Sequence, residues 1–512
     1  MKFEEHFGIS GLALIGVILG VFMAVLDSSV VNVAIPKMMV VYATDQTTIE
    51  WVVTAYSLTV GMFTPISGYL GDRFGAKRMY VWALVIFVLG SGLCGAAWSD
   101  SSLIVFRVLQ ALGGALLIPI SMTILFSLSK PEKRGLLMGI WGIAIMVAPA
   151  FGPTLSGYIV QNLNFRLIFY LNVPIGIINI FIAQTYIPEL QAKAAGKFDL
   201  PGFVTCVVGF FCLLYGLSDA PTSGWLSLKI ISLLFAAIVF LSLFVVFELT
   251  SDNPMVELRL FKIRPFLVSN LAVSFLMMAM MGWLFLLPVF LQNGLGFSPL
   301  QTGLLYLPPS LVTAALMPVS GALFDKLGAR PIGIVGFSVM LAAAILLVNL
   351  NFNWTVSAII AVLVVRAVGM GLTMMPLRTA GMNAVPPPLV NRASALQNTM
   401  SNVAGSLGVA LFGTVDQTHT NLSLATYTQQ VSVQSLQKIS AYGLHPSVYG
   451  ITNSADMSRL MSVLGKLAFQ NGIRESFIVA VIVTVTALIS SLFVGKKQKH
   501  VASKEQHAVA FE

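Results

Sequence analysis

The sequence predicts an all-α integral membrane protein assembled from two related halves, and three observations carry that reading. Of the 512 residues, 57% are hydrophobic and only 10% charged, against about 25% charged in an ordinary soluble domain. The apolar residues gather into runs of about 20, the length a helix needs to cross the hydrocarbon of a bilayer. Finally, one short loop occurs twice, as Gly68-Tyr-Leu-Gly-Asp72-Arg73-Phe-Gly75-Ala-Lys77-Arg78 and as Gly321-Ala-Leu-Phe-Asp325-Lys326-Leu-Gly328-Ala-Arg330. Its Gly, Asp and Gly recur at one constant offset of 253 residues. Each copy follows an apolar run directly, as expected of a transporter whose halves are internal repeats.

Taken in order, the apolar runs predict fourteen spans. The first, Gly11–Val33, carries Asp27, and the second, Thr48–Leu70, opens on Trp51-Val-Val-Thr-Ala-Tyr56 and ends at the first loop copy. Met79–Trp98 is the third. Ser102–Phe126, the fourth, places Arg107, Gln110 and Gly114 on one helical face by three- and four-residue steps. Leu136–Val160 contains Ala148-Pro149-Ala150-Phe151-Gly152-Pro153-Thr154-Leu155-Ser156-Gly157, and Leu167–Tyr186 completes six. The second loop copy follows span ten rather than span eight, so Pro201–Leu217 and Leu228–Leu249 are two extra spans between the halves. Phe266–Leu291, Thr302–Leu323, Pro331–Leu350, Val356–Pro376, Ala393–Val415 and Phe477–Val494 form the second six, with Arg366 inside Val356–Pro376. The expected organisation is a six-helix bundle over 1–190, two extra helices and their linkers over 191–265, a second bundle over 266–495 with a long outer loop at 416–472, and a basic tail at 496–512. Within that outer loop, Met457, Leu460, Met461, Leu464 and Leu467 fall at helical spacing and predict an amphipathic helix on the outer surface or against the last span.

Most of the 29 Lys and Arg fall in loops on the N-terminal side, Arg378 being counted with them, so both termini are expected in the cytoplasm. The formal charge of +9 then reads as topology and as attraction to anionic lipid, with no nucleic-acid partner. Glu4 and Glu5 are unsuited to a basic leader, so no cleaved signal is expected. Cys94, Cys206 and Cys212 lie in apolar runs without metal-ligand spacing, and no metal or cofactor is expected. Asp199, Asp219 and Glu248 sit at span ends and are read as solvated carboxylates.

Pumping needs energy, and no phosphate-cradling Gly-x4-Gly-Lys-[Ser/Thr] occurs: Gly196-Lys197, Gly465-Lys466 and Gly495-Lys496 are followed by Phe, Leu and Lys. An ion gradient is the remaining source, and coupling to it requires ionisable groups inside the membrane, where each costs about 2.5–3.5 kcal/mol on insertion scales. Asp27, Arg107, Gln110 and Arg366 are the candidates for proton coupling or substrate contact. Small residues four apart allow close helix approach, and prolines remove helical hydrogen bonds, so Pro149, Gly152, Pro153 and Gly157 suit a gating helix and ordinary transmembrane packing equally.

The first loop copy resembles the loop between spans two and three of the major facilitator superfamily, Gly-x-Leu-Ala-Asp-Arg-x-Gly-Arg-Lys, with Gly71 and Ala76 departing from it. The stretch Leu26-Asp27-Ser28-Ser29-Val30-Val31-Asn32-Val33-Ala34-Ile35-Pro36 and the segment from Arg107 to Ala115 resemble the fourteen-span drug:proton antiporters of EmrB/QacA type. Ser29 stands for their usual Thr. Ala148 to Gly157 is similar to their antiporter motif, and Phe165-Arg166-Leu167 replaces their Trp-Arg-Trp. The resemblance implies a major facilitator fold of two six-helix repeats plus two central helices, in the cell membrane. It implies proton-coupled export of amphiphilic or cationic toxic compounds by alternating access, with Asp27 and Arg107 in coupling. Gly68, Asp72, Arg73, Gly75, Lys77 and Arg78, with Gly321, Asp325, Gly328 and Arg330, would form an inner gate in which Asp72 acts as a latch. The expected partners are the bilayer, small amphiphilic drugs and protons, with a monomer as transport unit and an accessory envelope protein as an optional addition. The rival readings are export of a specific lipid, peptide or metabolite on the same machinery and, more remotely, a non-transporting receptor.

Overall fold

The computed structural model describes residues 7–190, 198–251, 253–430 and 454–495, and these residues are helical apart from short turns and connections. The first half contains α1 (Gly11–Tyr42), α2 (Gln46–Phe63), α3 (Ser67–Phe74), α4 (Ala76–Ala96), α5 (Asp100–Leu128), α6 (Arg134–Asn162), α7 (Leu167–Tyr170) and α8 (Asn172–Tyr186). A hairpin of α9 (Leu200–Ser223) and α10 (Leu228–Thr250) follows. The second half contains α11 (Arg264–Val289), α12 (Pro299–Leu327), α13 (Ala329–Val348), α14 (Val356–Asn383), α15 (Val390–Gln430) and α16 (Ser454–Leu492).

Local chemistry sets the helix ends. Side chains of Ser10, Asp45, Ser99, Ser227, Ser298 and Thr355 accept the free amides of the turns they precede, satisfying donors that a helix start leaves open. At both loop copies the chain passes from one helix to the next through a single glycine at positive φ, Gly75 at 87° and Gly328 at 82°. Only glycine takes that conformation without steric cost.

Among the described residues, twelve helices are long and apolar enough to cross a membrane. The long helices outside that set, α2 and α15, still pack among them. Their composition is diluted by polar residues with a destination: Tyr56 and Ser57 of α2, and Asn398, Ser401 and Asn402 of α15, line an internal cavity. The halves meet where α6 crosses α12, where α14 touches α6, and where α15 packs on α3 and α5. The α9–α10 hairpin lies against α2 and α15, whereas α10 touches little but α9. Ile230, Ala237, Phe244 and Glu248 are the buried residues of α10, which leaves the rest of its surface for lipid.

Several expectations need correction. The seventh run extends to a 24-residue helix, because Thr205, Asp219 and Thr222 are absorbed by hydrogen bonds within it or just beyond it. The proposed outer loop 416–472 is helical at both ends: α15 continues to Gln430, and the run from Met457 to Leu467 is the start of α16 rather than a separate surface helix. Residues 431–453, linker residues 191–197 and the tail 496–512 lie outside the described residues. Arg378 is no loop residue but sits, 4% exposed, inside α14. Glu248 is buried rather than solvated, accepting the Val256 amide at 3.1 Å. Asp199 caps α9 through the Gly202 amide at 2.9 Å, and Asp219 pairs with Lys229 across the hairpin at 2.8 Å.

Arg78 is exposed at the first loop copy and Leu327 at the second. In a chain with its three cysteines replaced, Arg78→Cys and Leu327→Cys are expected to react with membrane-impermeant maleimide only from the cytoplasmic side. Labelling of either in intact cells would overturn the expected orientation.

Candidate transport site

A buried polar network holds Asp27. Arg107 and Gln110 lie three residues apart on one face of α5, Asn172 opens α8 and Ser91 lies on α4. Asp27 Oδ2 accepts Arg107 Nη1 at 2.5 Å, and Oδ1 accepts Gln110 Nε2 and Asn172 Nδ2, each at 2.9 Å. Arg107 Nη1 also donates to Gln110 Oε1 at 2.8 Å, and Nε donates to the Val52 carbonyl at 3.1 Å. Asn172 Nδ2 reaches Ser91 Oγ at 3.2 Å, and Ser91 in turn donates to the Phe169 carbonyl at 2.8 Å. The Tyr56 ring covers the guanidinium, 4.0 Å from Cζ to centroid. Asp27 and Gln110 are 0% exposed and Arg107 1%. A charge pair so fully desolvated is tolerable only with further well-placed hydrogen bonds, and here both carboxylate oxygens and Arg107 Nε and Nη1 have partners.

Beside this network lies a cavity in two adjoining lobes of about 500 and 490 Å³, between the halves. Ser29, Asn32, Pro149, Met280 and Leu284 line both. The first lobe adds Gln292, Tyr306 and Arg366, and the second adds Tyr56, Arg378, Asn398 and Ser401. Asp27 is in neither wall, because α1 turns Ser28, Ser29 and Asn32 to the cavity and Asp27 toward α5 and α8. A ligand in this conformation therefore meets Tyr56, not the carboxylate, and direct pairing of a cationic drug with Asp27 is blocked.

At one end of the helices each loop copy contacts the opposite half. Asp72 Oδ1 accepts Asn391 Nδ2 at 2.7 Å and Oδ2 accepts Arg392 Nε at 2.9 Å, in the first turn of α15. Asp325 Oδ1 and Oδ2 accept the Gly135 and Leu136 amides, at 2.9 and 3.1 Å, in the first turn of α6. Each aspartate thus holds a helix start of the opposite half, where a negative charge is favoured. A Cβ on Gly68 would lie 2.8 Å from Arg392 Cα, and one on Gly321 would press into the Gly135 carbonyl. Glycine at both places lets those helix starts approach. Arg73 turns instead onto Tyr69, Nη1 to Oη 2.5 Å, and Arg78 forms an exposed 3.7 Å contact with Glu189. Lys77 and Arg330 hold no ion pair among the described residues.

Comparison with known proteins fits this geometry. The sequence pattern of the Major Facilitator Superfamily matches residues 17–409. The chain belongs to that superfamily. The transporter is 35% identical over 501 residues to an uncharacterized MFS-type transporter, YhcA, of Bacillus subtilis (strain 168), covering 96% of this chain and 94% of the relative. It is 33% identical over 406 residues to the multidrug resistance protein Stp of Mycobacterium tuberculosis (strain CDC 1551 / Oshkosh), covering 79% and 75%. The crystal structure of the human organic anion transporter MFSD10 superposes with a TM-score of 0.64 at 13% identity, covering 94% of this chain and 99% of that one, a likeness of fold alone. The protein is thus a multi-pass membrane transporter and not an enzyme.

In the transporter, the fifth-span motif divides. A Cβ on Gly152 would collide with Ser29 Oγ, whereas one on Gly157 would meet Leu300 at 3.7 Å, an ordinary contact. Pro149 lines both lobes, and α6 remains helical through Pro149 and Pro153. Gly152→Val is therefore expected to force α1 from α6 at a cost of about 1–3 kcal/mol, seen as a lower melting temperature. Gly157→Val should be milder, and equal shifts would refute the contact as the cause. Sequence reasoning missed Asn172, Ser91 and Tyr56 as parts of the site. Tyr56 stood in a recognised stretch, but nothing in sequence spacing brings side chains of α5 and α8 together on one carboxylate of α1.

Proposed function

We propose that this transporter is a proton-coupled antiporter that exports amphiphilic toxic compounds across the cell membrane by alternating access, with fourteen spans and both termini in the cytoplasm. The observation that carries the reading is the Asp27–Arg107 pair, wholly buried behind the cavity wall and screened from it by Tyr56. Protonation of Asp27 would release Arg107, and movement of Tyr56 would pass that change to the cavity where the compound sits. Similarity to a relative named for multidrug resistance supports the substrate class. One proton moving down about 100 mV supplies roughly 2.3 kcal/mol, enough for about a fortyfold gradient of a neutral compound. Asp72 and Asp325 would hold the inner side shut until the halves rock.

The test is efflux from proteoliposomes holding the purified chain. An imposed pH gradient should drive uphill movement of an amphiphilic dye, and the dye should drive proton movement in return. Dye flux that ignores the pH gradient would remove proton coupling.

A further inference from the structure

Charge in the spans is distributed unevenly between the halves. In the first half Arg107 has its carboxylate, Asp27. The second half has two arginines on the cavity wall, Arg366 and Arg378, and neither has a carboxylate partner among the described residues. Helix α11, which opens the second half as α1 opens the first, contains no Asp or Glu from Arg264 to Val289. Nor does any acidic residue line either lobe.

The neighbours of both arginines are neutral. Arg366 lies over the Trp283 ring, 4.7 Å from Cζ to centroid, and within electrostatic reach of Tyr306, whose hydroxyl has no hydrogen-bond partner. Arg378 donates to Asn398 Oδ1 at 3.3 Å and Ser401 Oγ at 3.2 Å, while its Nε is unpartnered. A guanidinium held at membrane depth without a counter-charge is costly, and its planar fork of donors fits a carboxylate or sulfonate. Around it the wall is soft and apolar, with Met146, Met280 and Met370 in the Arg366 lobe, a surface that adapts to varied apolar bodies.

We propose that the transported compound is an amphiphilic organic anion, its apolar body against the methionine wall and its carboxylate or sulfonate on Arg366, with the Tyr306 hydroxyl donating beside it. Arg378, twelve residues further along α14, is a second anion station toward the inner end of the path. The assignment names the substrate class of the exporter proposed above and rests on that reading. It also replaces the expectation of cationic compounds, for which neither lobe offers a negative group.

Three probes sharing one apolar body test it: 1-pyrenebutyrate, the neutral 1-pyrenebutyramide and the cationic 1-pyrenebutyltrimethylammonium. Binding to the full chain in nanodiscs, without any gradient, is expected to favour the anion over the amide by at least tenfold and the cation least. Arg366→Gln should bring the anion-to-amide ratio to within about twofold of unity, Arg366→Lys should restore part of it, and Tyr306→Phe should lower it by a few fold. The wild-type ranking needs no variant to fold, so it decides by itself if Arg366→Gln does not. Equal binding of the three probes, a preference for the cation, or an anion preference unchanged in folded Arg366→Gln would overturn the proposal. Selective anion binding without uphill export of any probe would uphold the anion site and sink the exporter. Proton-driven export of the amide or cation without anion preference would do the reverse.

Discussion

Asp27→Asn is expected to lower proton-driven export by at least 100-fold while the protein still inserts in the membrane. The substitution keeps the shape of the side chain, and an amide oxygen can still accept from Gln110 and Asn172, which are 2.9 Å from Asp27 Oδ1. What it removes is the charge opposite Arg107. The guanidinium is then left 1% exposed beside the Tyr56 ring with no counter-ion, and losing one partner of a buried pair costs about 3–5 kcal/mol. A fall in melting temperature should therefore accompany the loss of export and needs separating from it. Arg107→Gln in the same chain removes the stranded charge, so the double variant should regain much of the lost stability while export stays absent. Export recovering together with stability would mean that the pair serves only to hold α1 against α5, and the coupling role would fall.

The fold was legible because hydrophobic length is a coarse, additive signal and because a duplicated loop marks both halves. Gly68, Asp72 and Gly75 take places equivalent to those of Gly321, Asp325 and Gly328, each aspartate binding a helix start of the opposite half, Asp72 through side chains and Asp325 through backbone amides, so the constant offset in the sequence is also an equivalence in space. The site was legible only in part. Arg107 and Gln110 share a face of one helix, which periodicity reports, but Asn172 reaches Asp27 from another helix, with Ser91 of a third behind it, and no local spacing encodes that. Arg378 was misplaced because a charge near the end of an apolar run looks like the start of a loop. The helix instead continues to Asn383, with the guanidinium facing Asn398 and Ser401 of α15. The same rule misjudged Glu248, whose burial depends on the chain folding back to offer the Val256 amide.

Breaking the inner latch should open the cavity to the cytoplasm. Asp325 joins the halves by two bonds to backbone amides, Gly135 and Leu136, which no change of side chain on α6 can remove. Asp325→Ala deletes both, and charge-assisted bonds contribute about 1.5–3 kcal/mol each, so the balance should move inward by about 100-fold or more. A cysteine at Ser406, on the cavity wall, reports this as faster labelling from the cytoplasmic side. Gly321→Val reaches the same end by a different force, since its side chain would drive the start of α6 away. Electrostatics and sterics acting in one direction would mark the junction as the element that sets the conformational balance. Asp72→Ala should add to Asp325→Ala, because Asp72 holds α15 rather than α6. Should all three variants label at the parental rate, the inner contacts are consequences of closure and the force that closes the halves lies elsewhere, with the α6–α12 crossing the next place to look.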